Sequence, residues 1–375
     1  MNELFSLCPQ PPNWNPDWQA IHERFPWIQR MVGVMQDEIN HGEGDVWIHV
    51  RLVCEALISS ESWRALPEPE RHILFAAVLL HDVAKPECRR EEPDGHISFR
   101  GHSRRGAVLA RQILWRLQVP FAMREQICNL VRYHQIPFFY IERNDQQSLA
   151  LEMSQSVRCR HLATLAEADA VGRICQDRNR LLENTALFAE SCREMSCLDK
   201  PYVFPSDHTR FVYFRQPGRF PDAEVHDDSR CDVVLMSGLP ASGKDTWVKE
   251  NLADWPCVSL DDLREELDID PGKAQGEIIH AARDRAKELL RSGTAFVWNA
   301  TNLSRQIRGM VLKLLTDYKA RIRIVYIETD EDTLRQRNHD RSRSVPTAVI
   351  DKCLDKWEVP DLTEAHAVQW VVSHS

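Results

Sequence analysis

Apolar residues recur at helical spacing through the first two hundred positions and gather into short strand-like runs thereafter. Val46, Val50, Val53 and Leu57 fall on one face of a helix. Similar patterns predict helices over Val46–Leu57, Arg71–Lys85, Arg105–Leu117, Arg124–His134 and Ser148–Arg180, so residues 17 to 200 read as mostly helical. Pro201, Pro205, Pro217 and Pro221 then punctuate the chain, and the polar run Val225–Arg230 reads as a linker. The aromatics of Tyr202–Phe214 suggest an ordered connector, a short hairpin packed on one domain. Beyond it, strands at Asp232–Met236, Pro256–Leu260, Thr294–Trp298, Ile322–Glu328 and Val368–Val372 alternate with helices at Lys244–Leu252, Gln275–Ser292, Gln306–Tyr318, Glu331–Arg343 and Thr347–Trp357. That alternation predicts a parallel sheet covered on both faces. The expected fold is multidomain: an all-α domain with its connector over 1–222, then an α/β domain over 223–375.

Composition fits two domains. The chain has 375 residues, 43% of them hydrophobic, enough for two cores. No run of 18 apolar residues predicts a membrane span. The N-terminus has no basic segment followed by an apolar one, so no signal peptide is expected. Eleven cysteines, with no CxxC pair, read as reduced core thiols of a cytosolic protein. A net charge of −9 argues against indiscriminate coating of nucleic acid but allows local basic grooves.

Within the helical half, several histidines and aspartates share the apolar stripes. His49 lies with Val46, Val50 and Val53. His81-Asp82 ends the apolar run Ile73–Leu80. His102 leads Gly106, Leu109, Ile113 and Leu117; His134 extends Ile127, Leu130 and Val131; Asp169 extends Leu162, Leu165 and Ala166. The other His-Asp pairs, His226-Asp227 and His339-Asp340, sit in polar surroundings and read as solvated. One histidine on an apolar stripe is ordinarily a satisfied core residue. Four histidines and two aspartates on five helices are a different matter, because an unpaired buried carboxylate costs several kcal/mol and a shared cation removes that cost. Imidazole and carboxylate ligands without thiolate suit a first-row divalent metal used for hydrolysis.

These residues resemble the HD phosphohydrolase superfamily: His49, then His81-Asp82 with Lys85, His102, His134, and Asp169 within Glu167–Arg173. The resemblance implies a helical fold, one or two divalent transition metals (Mn, Ni, Co, Fe or Zn), and Lys85 among the catalytic residues. His49, His81, Asp82 and Asp169 would hold one metal; His102 and His134, with Asp82 bridging, the second. The stretch Ala168–Arg173 is similar to the HD domains of bacterial tRNA nucleotidyltransferases, which favours an RNA-terminal phosphate as substrate. Arg104, Arg105 and Arg173, read as exposed, are candidates for phosphate contact.

The second half opens on Gly238-Leu-Pro-Ala-Ser-Gly243-Lys244-Asp245-Thr246, between an apolar strand and a helix start. Glycines let backbone N–H groups wrap phosphates, and a helix N-terminus adds partial positive charge. Lys244 reaches the β- and γ-phosphates of a nucleotide in such a loop. Gly238, Ser242, Gly243, Lys244, Asp245 and Thr246 are therefore the expected nucleotide-binding set, with ATP or another NTP and Mg²⁺. Asp261, with Asp262 beside it, follows the second strand at the ligand crevice. It is placed to take the proton of an attacking hydroxyl, with Arg264 gripping an acceptor phosphate. The stretch Leu334–Arg343 places Arg337 and Arg341 on one helix face, a plausible lid over the transferring phosphoryl group.

This half resembles P-loop polynucleotide 5′-kinases, with two departures. Asp245 stands where the loop lysine is usually followed by Ser or Thr, so Asp245 itself or Thr246 would have to serve Mg²⁺. Asn299 stands at a strand end where many relatives carry aspartate, and its role stays open. In order and length the chain resembles the HD-Pnk family of bacterial RNA end-healing enzymes. That implies removal of a 2′,3′-cyclic phosphate or 2′-phosphate at RNA 3′ ends, NTP-dependent phosphorylation of 5′-OH ends of RNA or DNA, and hand-over to a separate RNA ligase. Two alternatives remain: a small-molecule kinase fused to an HD nucleotidase, and a non-catalytic nucleotide sensor.

Overall fold

The structure, a computed structural model, describes residues 2–269, 275–341 and 344–373. Ser342 and Arg343, the end of the basic stretch, lie outside the described residues. The chain divides into two compact units, Met1–Tyr202 and Val203–Ser375.

The first unit is helical. Its six longest described helices are α1 (Val46–Ser59), α2 (Glu68–Leu80), α3 (His102–Arg116), α4 (Phe121–Tyr133), α5 (Cys159–Gly172) and α6 (Arg178–Glu194). A two-residue hairpin, β1 (Arg90–Glu91) with β2 (Ile97–Ser98), lies between α2 and α3. Helix α1 starts where Asp45 accepts a hydrogen bond from the Ile48 N–H, satisfying one of the free donors of a first turn. Every residue of α2 from His72 to Leu80 is buried, which makes it the central helix. Helix α5 packs closely on α1 because Gly172 has no side chain: a Cβ there would lie 2.7 Å from the Val53 nitrogen. The helix expected over Ser148–Arg180 is broken into Gln146–Ser154, α5 and the start of α6. Ser154 and Ser156 turn their hydroxyls back onto the Leu151 and Met153 carbonyls at the first break, a local bond that competes with helix continuation.

The second unit is a five-stranded parallel sheet in the order β4-β5-β3-β6-β7. The strands are β3 (Cys231–Ser237), β4 (Cys257–Ser259), β5 (Phe296–Asn299), β6 (Ala320–Thr329) and β7 (Ala367–Ser373). All four pairings are parallel, with Val233 opposite Phe296 and Ile322. Two hydrophobic clusters cover the sheet: Val233, Leu235, Ile322 and Ile324 on one face, Val234, Met236, Val325 and Ile327 on the other. Between strands run α8 (Lys244–Asn251), α9 (Leu260–Glu266), α10 (Gln275–Ser292), α11 (Arg305–Asp317), α12 (Glu331–Asp340) and α13 (Thr347–Leu354).

The connector departs from expectation twice. It holds a helix, α7 (Asp207–Tyr213), capped by the Ser206 hydroxyl, where a hairpin was expected. It also belongs with the second unit, not with the first as a boundary at 222/223 had it. Phe211 and Val212 join the sheet's core. Arg210 donates to the Leu362 and His366 carbonyls at 3.0 and 2.7 Å, ties that a hydrophobicity pattern does not reveal.

Candidate functional site

In the helical unit, five elements deliver six polar side chains to one buried point. His49 comes from α1; His81 and Asp82 follow α2; His102 opens α3; His134 caps α4; Asp169 lies in the last turn of α5. All six are at most 6% exposed. His49 Nε2 lies 3.2 Å from Asp169 Oδ1 and 3.6 Å from Asp82 Oδ2, and His81 Nε2 lies 3.3 Å from Asp82 Oδ2. On the other side, His102 Nε2 and His134 Nε2 lie 3.3 and 3.9 Å from Asp82 Oδ1. Asp82 thus presents one oxygen to each histidine pair.

The far side of each ring explains this orientation. His81, His102 and His134 place Nδ1 at 2.7, 2.8 and 2.8 Å from the Val78, Phe99 and Val131 carbonyls. Each contact is to the carbonyl of the residue three positions earlier. His49 places Nδ1 2.8 Å from Glu43 Oε1. A carbonyl can only accept, so Nδ1 carries the proton and Nε2 offers its lone pair inward, the tautomer found in metal-ligating histidines. Burial pulls the His102 imidazole down to about 4 and that of His134 to about 3. Both are neutral and available near neutrality. His81 is raised: burial alone would lower it, but the charge of Asp82 prevails. Asp82 and Asp169 are held well below the usual carboxylate range, against burial, by Lys85 and Arg173 respectively.

Neither Asp82 oxygen accepts a hydrogen bond, although both are buried. Its close neighbours are Lys85 Nζ at 2.7 Å and the imidazoles. Orphaned buried carboxylate oxygens facing bare Nε2 atoms are the donor set of a divalent metal, so the residues fit the metal that the resemblance implied. Two triads, His49-His81-Asp82 and Asp82-His102-His134, each bring their ligand atoms within 4.8 Å of one another.

Some residues around this centre were invisible in the sequence. Glu43 binds His41 Nδ1 at 2.8 Å besides His49, and the Ile174 N–H reaches its other oxygen. Gln36 accepts from Lys85 at 2.6 Å. Both precede α1 in irregular chain, where no periodicity marks them. Arg173, expected as an exposed phosphate contact, is 8% exposed and grips Asp169 with two bonds of 2.8 Å. Its guanidinium also lies over the Phe138 ring. Arg105 pairs with Glu87 at 2.8 Å, and Arg104 is exposed.

In the second unit the loop 238–243 joins β3 to α8. Gly238 (φ +151°) abuts the Ile327 carbonyl, which a Cβ would approach to 2.4 Å, and Gly243 has φ +104°, so both positions favour glycine. Lys244 is 9% exposed, and its Nζ donates to the Gly238 and Leu239 carbonyls at 3.1 and 2.8 Å. Burial lowers its pKa to about 8. Ser242 Oγ is buried with no hydrogen-bond partner, and Thr246 is exposed.

Helix α12 and the residue after it contact this loop and the start of α8. Arg337 donates to the Ser242 carbonyl at 3.3 Å, and Arg341 Nη2 lies 3.2 Å from Asp245 Oδ2. Asn299, at the end of β5, donates to Asp245 Oδ1 at 2.7 Å. The two residues that depart from the usual kinase pattern therefore hold each other, a pairing 54 positions apart that sequence spacing cannot show. At the start of α9, Arg264 Nη1 lies 2.6 Å from Asp261 Oδ1, with the Asp261 side chain 92% exposed.

A family model described as an HD domain matches residues 46–171, and one described as an AAA domain matches residues 233–360. The chain thus carries a helical HD domain followed by a P-loop kinase-like domain on a parallel sheet. The chain is also similar to a multifunctional CCA protein of Teredinibacter turnerae, 28% identical over 48% of this chain and 42% of that protein. An A-adding tRNA nucleotidyltransferase of Deinococcus radiodurans is 48% identical over 18% of this chain and 16% of that one. A solved sugar kinase from Janibacter is 13% identical with a TM-score of 0.29, covering 38% of this chain and 85% of that one. That likeness is too remote to carry an argument. The chain spans less than half the length of the curated relatives named here. Among the described residues, no helix is long and apolar enough to cross a membrane.

Proposed function

We propose that this chain is a bifunctional RNA end-healing enzyme. One activity removes a 2′,3′-cyclic phosphate or 2′-phosphate from RNA 3′ ends. The other transfers the γ-phosphate of an NTP to a 5′-OH end. The observation that carries the reading is the presence in one chain of two centres. One is a six-residue imidazole–carboxylate centre; the other is a P-loop whose arginine helix already touches it. The Deinococcus relative is a tRNA nucleotidyltransferase by name, which favours a nucleic-acid end over a metabolite.

In the HD centre, His49, His81, Asp82 and Asp169 would hold one divalent metal, and Asp82, His102 and His134 a second. When bound, such ions acidify water and polarise a phosphoryl oxygen. Glu43 and the three carbonyls fix the imidazoles. Lys85 offsets the charge of Asp82 and stands ready to meet a substrate oxyanion. In the kinase, Lys244 leaves the Gly238 and Leu239 carbonyls for the nucleotide phosphates, and Arg337 and Arg341 neutralise charge as the γ-phosphoryl moves. Asp261, exposed in the crevice, accepts the proton of the attacking hydroxyl, and Arg264 swings from it to the acceptor phosphate. Asp245, steadied by Asn299, serves Mg²⁺.

The test is phosphoryl transfer from ATP to acceptors running from a nucleoside and simple sugars to 5′-OH oligonucleotides of rising length. Rates should climb with length. A nucleoside or sugar phosphorylated as fast as any oligonucleotide would replace this reading with a small-molecule kinase.

A further inference from the structure

Three of the eleven cysteines do not behave like scattered core thiols. Cys159, Cys192 and Cys197 are at most 1% exposed, and their sulfurs all lie within 4.8 Å of one another. They belong to the helical unit but not to the histidine–aspartate centre. Their convergence has a definite local cause. Helix α6 ends in a turn in which Ser196 adopts φ +56°. The Cys197 N–H then bonds back to the Cys192 carbonyl at 2.8 Å. This left-handed termination folds Cys197 over the residue five positions earlier and stacks the two thiols. The third sulfur arrives from Cys159, the first residue of α5, whose start is tied to the same turn by the Arg160 N–H on the Leu198 carbonyl at 2.9 Å.

We propose that Cys159, Cys192 and Cys197 form a second metal site, a structural one for a thiophilic divalent cation of the zinc class. A tetrahedral ion with Zn–S bonds of about 2.3 Å needs sulfurs ~3.8 Å apart, which small side-chain rotations reach from the observed spread. Each thiol that becomes a ligand releases its proton to solvent, so affinity rises with pH. Three thiolates around a divalent ion leave one net negative charge. That charge sits at the N-terminus of α5, where the helix dipole favours it. Entry is short, because Ser196 and Asp199 beside the trio are exposed.

Binding would pin the start of α5 to the end of α6, and α5 carries Asp169 at its other end. The site lacks imidazole and carboxylate, and the catalytic centre lacks sulfur, so the two are separable by spectroscopy. Metal-free, fully reduced full-length protein titrated with Co²⁺ should develop a thiolate-to-cobalt charge-transfer absorption. Its final amplitude should correspond to one thiolate-bound cobalt per chain, and it should bleach on adding Zn²⁺. Cys192→Ser and Cys197→Ser should lose it; Cys54→Ser, at a buried thiol outside the trio, should keep it. Absence of the band from folded wild-type protein with all thiols titrating as reduced would overturn the proposal, as would its full retention in Cys192→Ser. The wild-type titration decides the matter alone if a variant does not fold.

Discussion

Replacing Arg173 with methionine separates two ways of neutralising Asp169. The methionine keeps an apolar stem over Phe138 and removes both 2.8 Å bonds to the carboxylate. Asp169 is fully buried, so without metal the variant must bury an unmatched charge or protonate it. Breaking a buried pair from one side costs about 3–5 kcal/mol. In a unit of this size each kcal/mol moves Tm by about 2–4 °C, which gives a loss of roughly 6–20 °C in EDTA. With Mn²⁺ at saturation the carboxylate faces a cation beside His49, so the loss should shrink. The assay is thermal unfolding of wild type and variant, with and without metal, following the transition that metal shifts. An equal Tm loss under both conditions would show that Asp169 is not a ligand, and no loss in EDTA would show that the pair is not buried as described.

Other expectations follow from the same geometry. Glu43→Ala removes the partner of His49 Nδ1 and should weaken metal binding about 10–100-fold, with Glu43→Gln retaining most of the affinity, as read by calorimetric titration; unchanged affinity in Glu43→Ala would remove Glu43 from the support of the centre. Asn299→Ala removes one of the two partners of Asp245, worth about 1 kcal/mol, which should raise KM for MgATP roughly fivefold; a KM equal to wild type would deny that Asn299 steadies Asp245. Lys244, with a pKa of about 8 in the nucleotide-free protein, is charged below that pH and increasingly neutral above it. Phosphates favour the charged form, so ATP binding should take up a proton at pH 8.5, about 0.8 of one at most, and little at pH 7. Calorimetry in buffers of different ionisation enthalpy measures this, and uptake independent of pH would place the lysine's pKa elsewhere.

Much of this was legible because helical and strand periodicities are local. The stripes through His49, His102 and His134 placed those rings in the core, and burial of two aspartates with them implied a cation. The strand–glycine loop–helix order likewise located the loop 238–243 between β3 and α8. What stayed hidden depended on contacts between distant positions. Glu43 and Gln36 lie in irregular chain, and Asn299 meets Asp245 only because parallel strands bring their carboxyl ends together. Arg173 looked like a surface charge because its spacing to Asp169 does not say which way the pair points. The connector's proline-rich composition suggested a boundary but could not say which core Phe211 and Val212 would join. The cysteine trio was equally hidden, since the left-handed Ser196 that creates it is a backbone event with no compositional mark.

The central claim is that one chain heals both ends of a broken RNA with two separate centres. A short RNA bearing a 5′-OH and a 2′,3′-cyclic phosphate, incubated with ATP, Mg²⁺ and Mn²⁺ and followed at both ends, tests it most directly. Wild-type protein should add a 5′-phosphate and open or remove the terminal phosphate. Asp82→Ala should lose only the 3′ reaction, and Lys244→Met only the 5′ reaction, each by a factor of at least about 10². An RNA left unchanged at both ends by metal-loaded, ATP-binding wild-type protein would contradict the account.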